Sequence, residues 1–268
     1  MLRPYNGRLR LAAGDLDYIR FGDGKKPLVM IPGVGDGLKT VRGMALPFAL
    51  LYRALTGDFT VYAFSRGLGL APHTSTREMA GELNAAMEAL GLSRAAVLGV
   101  SQGGMIAQWL AIDHPDKVER LVLTVTLGRP NDTARETIAL WTAMAERGDY
   151  RGILLDTAER SYSERRLRRE RLTYRMLGDL GRPKSFDRFL TQAESCVTHD
   201  AYDVLDRIAC PTLVIGGTDD RIASGEASRS LAARIPGARL VMLEGLGHGL
   251  YEEDPLFQER VITFGGER

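Results

Sequence analysis

The run AAVLGVSQGGMIAQWLAI, Ala95 to Ile112, decides how this chain folds. Its opening residues are small or β-branched and apolar, as in a strand covered on both faces. From Gln102 onward the apolar spacing is helical, and Pro115 stops it. Between strand and helix stands Ser101, with Gly99, Gly103 and Gly104 around it. On so sharp a turn, side chains two residues before and two after the serine would collide, so glycine occupies both places. The turn lifts the hydroxyl clear of the sheet edge. It also sets the Gln102 amide at a helix N-terminus, where it can donate to an anion. The pattern Gly99-Val100-Ser101-Gln102-Gly103 fits G-x-S-x-G, which is short enough to occur by chance. Its position between a strand and a helix carries the reading of Ser101 as a nucleophile.

Working outward, short apolar runs recur, each closed by glycine or proline. RLRLA and LDYIRFG alternate like a half-exposed hairpin at a sheet edge, while PLVMIPG, FTVYAFSRG, RAAVLGV and VERLVLTVTLG read as buried strands. TSTREMAGELNAAMEALGL is a helix, with Thr74 or Ser75 as N-cap and Gly91 at its end. Strands alternating with helices imply a mostly parallel sheet with helices on both faces, an α/β fold. From Gly128 to about Ile208 the patterns are only helical: ARETIALWTAMAERG, then YRGILLDTAERSYSERRLRRERLTYRML, then SFDRFLTQAESC. The strand rhythm resumes in CPTLVIGG, followed by helix GEASRSLAARIPG, strand ARLVMLEG and a final helix in YEEDPLFQERVITFG. The expected organisation is a core from 1–127 and 209–268 with a helical cap, 128–208, inserted between. Leu140, Trp141, Ile153, Leu154, Phe186 and Phe189 lie on apolar faces of those helices, and a cap must leave some of them over Ser101, walling a largely apolar pocket.

Composition narrows the classes. The 268 residues are 44% hydrophobic and 26% charged, which is typical of a globular protein and argues against disorder. A net charge of +1 provides no whole-molecule attraction to nucleic acid or to an anionic membrane. Cys196 and Cys210 fall at no metal-ligand spacing and read as reduced thiols, so no metal is expected. The start, MLRPYNGRLRLAAGD, lacks an apolar signal region, and no apolar run approaches the roughly 20 residues that span a bilayer. A cytoplasmic protein with a small-molecule substrate and no membrane or nucleic-acid partner is the expectation. SERRLRRERLTYR, with six arginines against two glutamates, reads as a solvated helix face, with steering of an anionic substrate as the alternative.

A serine hydroxyl becomes a nucleophile when a base takes its proton, so an imidazole must be near. Of four histidines, His114 ends a helix before Pro115 and reads as a surface or C-cap residue, while His73 in a loop and His199 at the exit of the helical segment read as exposed, with lining a pocket as the alternative. His248 differs: it sits in EGLGHGLYEED, a glycine-rich loop after a strand. The imidazole must be oriented by an acid, and LVIGGTDDR places Asp219 and Asp220 just past another strand. Catalytic groups of open parallel sheets gather at the carboxyl ends of strands, where serine, acid and histidine all fall in that order.

This constellation resembles the α/β-hydrolase superfamily over nearly the whole chain, through PGVGDG, GVSQGGMIAQWLAIDHP, PTLVIGGTDDRI and GLGHGLYEEDP. The resemblance implies Asp220 as the acid, three residues after Gly217, with Asp219 as runner-up. It implies an oxyanion hole from the amides of Val34 and Gln102, and no cofactor or metal. The residues around the serine look like those of lactonases, carboxylesterases and cofactor-free haloperoxidases. Two positions depart from the family: Pro32-Gly33 stands where relatives have His-Gly, and Ser65, beside a structural Arg66, stands where many carry aspartate. Serine as nucleophile sets the chain apart from the dehalogenase branch. The implied function is hydrolysis of a small ester, lactone or related carbonyl compound through an acyl-enzyme. The alternatives are a slow-turnover small-molecule receptor of the same fold, a C–C-bond hydrolase and a perhydrolase.

Overall fold

The computed structural model describes residues 1–168 and 181–267. Eight strands form one sheet: β1 (Tyr5–Leu11), β2 (Gly14–Phe21), β3 (Lys26–Ile31), β4 (Phe59–Gly67), β5 (Ala95–Val100), β6 (Val118–Thr124), β7 (Thr212–Gly217) and β8 (Arg239–Leu243). Their spatial order is β1-β2-β4-β3-β5-β6-β7-β8. The β1–β2 hairpin lies at one edge, β2 runs antiparallel to β4, and all later pairings are parallel.

The strand pleat sorts the core into two layers. In β3, Val29 and Ile31 face one side, packing with Val97 and with Ile106 and Leu110 of α3 (Gln102–Asp113) and Leu83 and Met87 of α2 (Thr76–Ala89). Leu28 and Met30 face the other side, toward Phe257, Val261 and Phe264. Period-two alternation inside a run that is apolar throughout is what a sheet covered on both faces requires. Helix α3 is buried from Gln102 to Ile112 and apolar there apart from Gln102 and Gln108, so it is enclosed on every face. Helix α2 begins at Ser75, whose side chain and that of Glu78 form a capping box, and Gly91 follows it at φ +70°.

Two local readings need correction. A helix absent from the sequence reading, α1 (Ala45–Leu51), forms before β4; at seven residues it is too short to show a period, and Leu46, Leu50 and Leu51 remain exposed on it. The final helix is two helices, which become α8 (Leu250–Glu253) and α9 (Phe257–Gly266) below, because Pro255 cannot continue the first.

Among the described residues, the stretch between β6 and β7 holds α4 (Asp132–Glu146), α5 (Tyr150–Ser161), α6 (Asp187–Thr198) and a 3-10 turn at Tyr202–Arg207, and no strand. After β7 comes α7 (Gly225–Arg234). Helix α5 stops at Tyr162, so the long helical pattern from Tyr150 does not run unbroken, and the arginine-rich run lies partly outside the described residues. Ile138, Trp141, Phe189 and Ala193 of α4 and α6 pack with Met105 of α3 and with Ile222 and Ala223 after β7. Their apolar contacts therefore reach the sheet's carboxyl edge.

Candidate active site

Ser101 follows the last residue of β5 and caps α3 at φ +55° and ψ −122°. A non-glycine residue at such a φ is strained and persists only where its surroundings over-determine it. Here the Ser101 amide donates to the Thr124 carbonyl at 2.9 Å, and its own carbonyl accepts from Thr126 Oγ1 at 2.7 Å. A Cβ at Gly99 would lie 2.5 Å from the Gly103 carbonyl oxygen, and one at Gly103 would run into the Ile31 carbonyl. The turn can close this tightly only with glycine on both sides.

Asp220 and His248 meet across two loops. His248 Nδ1 lies 3.0 Å and 2.9 Å from the two carboxylate oxygens of Asp220. Asp220 Oδ1 also accepts from the amides of Ile222 at 2.8 Å and Ala223 at 2.9 Å. Both side chains are buried. Burial pushes the Asp220 carboxyl up, but the charge and hydrogen bond of His248 and the two amides outweigh it, leaving the group below its ordinary range. Asp219, by contrast, is exposed and its carboxylate accepts from its neighbour Thr218. The histidine loop is braced from the helical segment: the Gly249 amide donates to the Ser161 carbonyl at 2.8 Å.

Ser101 and His248 line one cavity of about 270 Å³, walled by Trp141, Ile153, Leu154 and Phe189 and closed by the Pro32–Asp36 turn. Of the six residues on apolar helix faces, some of which were expected over the serine, those four line the cavity; Leu140 and Phe186 do not. Trp141 is fixed there by a 2.7 Å hydrogen bond from its indole N–H to Asp156. Val34 begins a 3-10 turn and Gln102 begins α3, so both amides stand where no intrahelical acceptor is in reach. A larger groove of about 780 Å³ between α4 and α6 meets neither Ser101 nor His248.

The other histidines stand apart from this group. His73 is exposed and pairs with Glu194 at 2.7 Å, and His114 is the C-cap of α3. His199 corrects the sequence reading: it is buried, not exposed, between Thr76 Oγ1 at 2.8 Å and Gln108 Oε1 at 3.3 Å. Burial pushes the Cys196 thiol up to about 12, so it is protonated and inert at neutral pH.

What the sequence did not disclose is the polar layer behind the Pro32–Asp36 turn. Buried Arg66, at the end of β4, donates to the Pro32 carbonyl and to Gln102 Oε1 at 2.9 Å. Asp36 accepts from the Arg66 amide at 3.1 Å, from Arg188 and from Gln192 at 3.3 Å. Gln102 Nε2 reaches α6, donating to the Gln192 carbonyl at 2.8 Å and Ser195 Oγ at 2.9 Å. Burial pushes the Arg66 guanidinium down to about 10 against the pull of Asp36, so it stays charged at neutral pH. The signals in the sequence were Arg66 itself, read as structural, and the polar residues Arg188, Gln192 and Ser195 at helical spacing on α6.

The fold that carries these residues agrees with the comparisons. Residues 26–255 match the family model of the α/β hydrolase fold. A Caulobacter sp. (strain K31) protein, provisionally named the carbamate hydrolase RutD, is 30% identical over 226 residues, covering 79% of this chain and 82% of its own. The enol-lactonase of Burkholderia xenovorans LB400 superposes with a TM-score of 0.83 at 24% identity, over 97% of this chain and 100% of that one. A hydrolase of Pseudomonas aeruginosa PA01 does so at 0.79 and 26%, over 98% of each. The chain belongs to the α/β-hydrolase fold family, and its class is that of a hydrolase. No helix among the described residues is long and apolar enough to cross a membrane.

Proposed function

We propose that the protein is a serine hydrolase acting on a small ester, lactone or related carbonyl compound through an acyl-enzyme. The observation that carries this reading is His248, paired with buried Asp220 and lining the same cavity as Ser101 on its strained turn. With Nδ1 held by Asp220, Nε2 of His248 is the nitrogen left to act as base. Ser101 Oγ attacks the carbonyl carbon, its proton passes to Nε2, and the carbonyl π electrons move onto oxygen. The Val34 and Gln102 amides receive that oxyanion. Collapse expels the leaving group, which takes the proton from the imidazolium. Water then repeats the sequence on the acyl-serine and releases the acid. The carbamate hydrolase name of the Caulobacter relative is compatible, since a carbamate is a carbonyl open to the same addition and elimination.

Cavity size and lining support a small substrate with an apolar portion over a polymer, and Trp141, Ile153, Leu154 and Phe189 on its wall support reading 128–208 as a cap. A fluorophosphonate should label folded protein on Ser101, and Ser101→Ala should abolish both labelling and turnover. An adduct mapped to another serine would overturn the assignment. Soluble short-chain esters should show higher kcat/KM than triglyceride emulsions or peptides; the reverse order would mean that the cavity is not the substrate site.

A further inference from the structure

We propose that Arg66 is a positioning residue for the oxyanion hole, holding both donor amides and tying them to helix α6; this rests on the serine-hydrolase reading above. Its Nη2 donates to the Pro32 carbonyl, lies 3.4 Å from the Gly33 carbonyl and reaches Gln102 Oε1 at 2.9 Å. The Gly33 carbonyl and the Val34 N–H belong to one conjugated peptide group. A cation against that carbonyl draws density from the nitrogen and makes the N–H a stronger donor to an oxyanion. The same carbonyl accepts from the Asp36 amide at 3.1 Å, which fixes the direction of the peptide plane.

The second amide is held by a different route. Gln102 carries it, and both ends of that side chain are occupied, Oε1 by Arg66 and Nε2 by Gln192 and Ser195 of α6. One guanidinium thus bridges a turn after β3 and the first residue of α3, and the helical segment buttresses the joint. The group carries charge as well as geometry. Arg66 and Arg188 share Asp36 as their ion-pair partner, so these three side chains hold a net positive charge beside the turn. Charge buried this deeply is costly and acts with little screening, and a developing oxyanion is what that field would stabilise. A strut made only for packing would need no cation.

The test compares an oxoester with its thionoester, whose sulfur is poorly served by donors spaced for oxygen. Losing one oxyanion donor costs about 10²–10³ in kcat, so Arg66→Met, which weakens both, should lower oxoester kcat at least about tenfold with KM changed less than about threefold. The oxoester-to-thionoester ratio should fall with it. Arg66→Lys, keeping charge without the fork, should fall between. Gln102→Leu, which cuts one arm and leaves the cation, should also lower the ratio, and it decides the matter with Arg66→Lys if Arg66→Met does not fold. Equal slowing of both substrates, or unchanged oxoester kcat in the folded variants, would make Arg66 a structural strut and overturn the inference. Ser101→Ala run in parallel separates the two failures: activity surviving there removes the serine reading, and this inference with it.

Discussion

Two neighbouring carboxylates, Asp219 and Asp220, have different fates at the end of β7. Asp220 points inward and holds His248 together with two backbone amides, while Asp219 stays exposed. Their difference should appear in catalysis. With Asp220→Asn the imidazole loses the partner that selects its tautomer and steadies its charged form, and kcat should fall by roughly 10⁴. Asp219→Asn should change kcat by less than about threefold. Steady-state kinetics of the two variants on one ester decides this, and a reversal of the two effects would refute the roles. Position after the strand does not by itself divide the pair, and the family resemblance points to Asp220, three residues after Gly217. The direction of each side chain adds the physical reason: Asp220 meets His248, whereas the Asp219 carboxylate meets its neighbour Thr218.

The β5–turn–α3 joint was the most legible element because its constraint is local. A strand that ends, a helix that begins and glycines that let the two backbones touch are all written within ten residues. Gly103→Ala would press a methyl into the Ile31 carbonyl, and should destabilise the protein by about 1–3 kcal/mol as overpacking does, with loss of turnover. Gly81, inside α2 with open space around it, is the contrast: Gly81→Ala should stabilise by about 0.5–1 kcal/mol and leave turnover unchanged. Urea unfolding of both variants tests the pair. Two stabilisations of equal size would show that helix propensity and not backbone contact governs these sites. Elements without a local signature escaped: α1 is shorter than two full periods, and the break at Pro255 was absorbed into a single helical reading.

At the scale of the molecule, His199 joins α2 and α3 to the end of the helical segment through Thr76 and Gln108. Burial pulls its imidazole down to about 4. In the unfolded chain a histidine takes up its proton near pH 6.5, so between there and pH 4 the unfolded state binds more protons than the folded one. Stability therefore falls as pH drops through this window. From this residue alone the loss between pH 7.5 and pH 5 is about 2 kcal/mol. Denaturant unfolding at the two pH values should show that difference in the wild type and its near disappearance in His199→Gln. An unchanged pH dependence in the variant would mean that His199 titrates normally.

The strand and helix alternation, the glycine-flanked serine and the candidate acid and histidine followed from the sequence by itself, because periodicity, turn chemistry and chain order are properties of short stretches. What only the tertiary structure decided are the contacts between stretches far apart in the chain. The contact between Asp220 and His248, the burial of His199, and the Arg66–Asp36–Arg188 layer joining β4, the turn after β3 and α6 all belong there. Such contacts depend on which side chains converge when the sheet closes and the helical segment packs down on it. Charge and hydrogen-bond partners at that point are set by spatial neighbours, which no window along the chain contains.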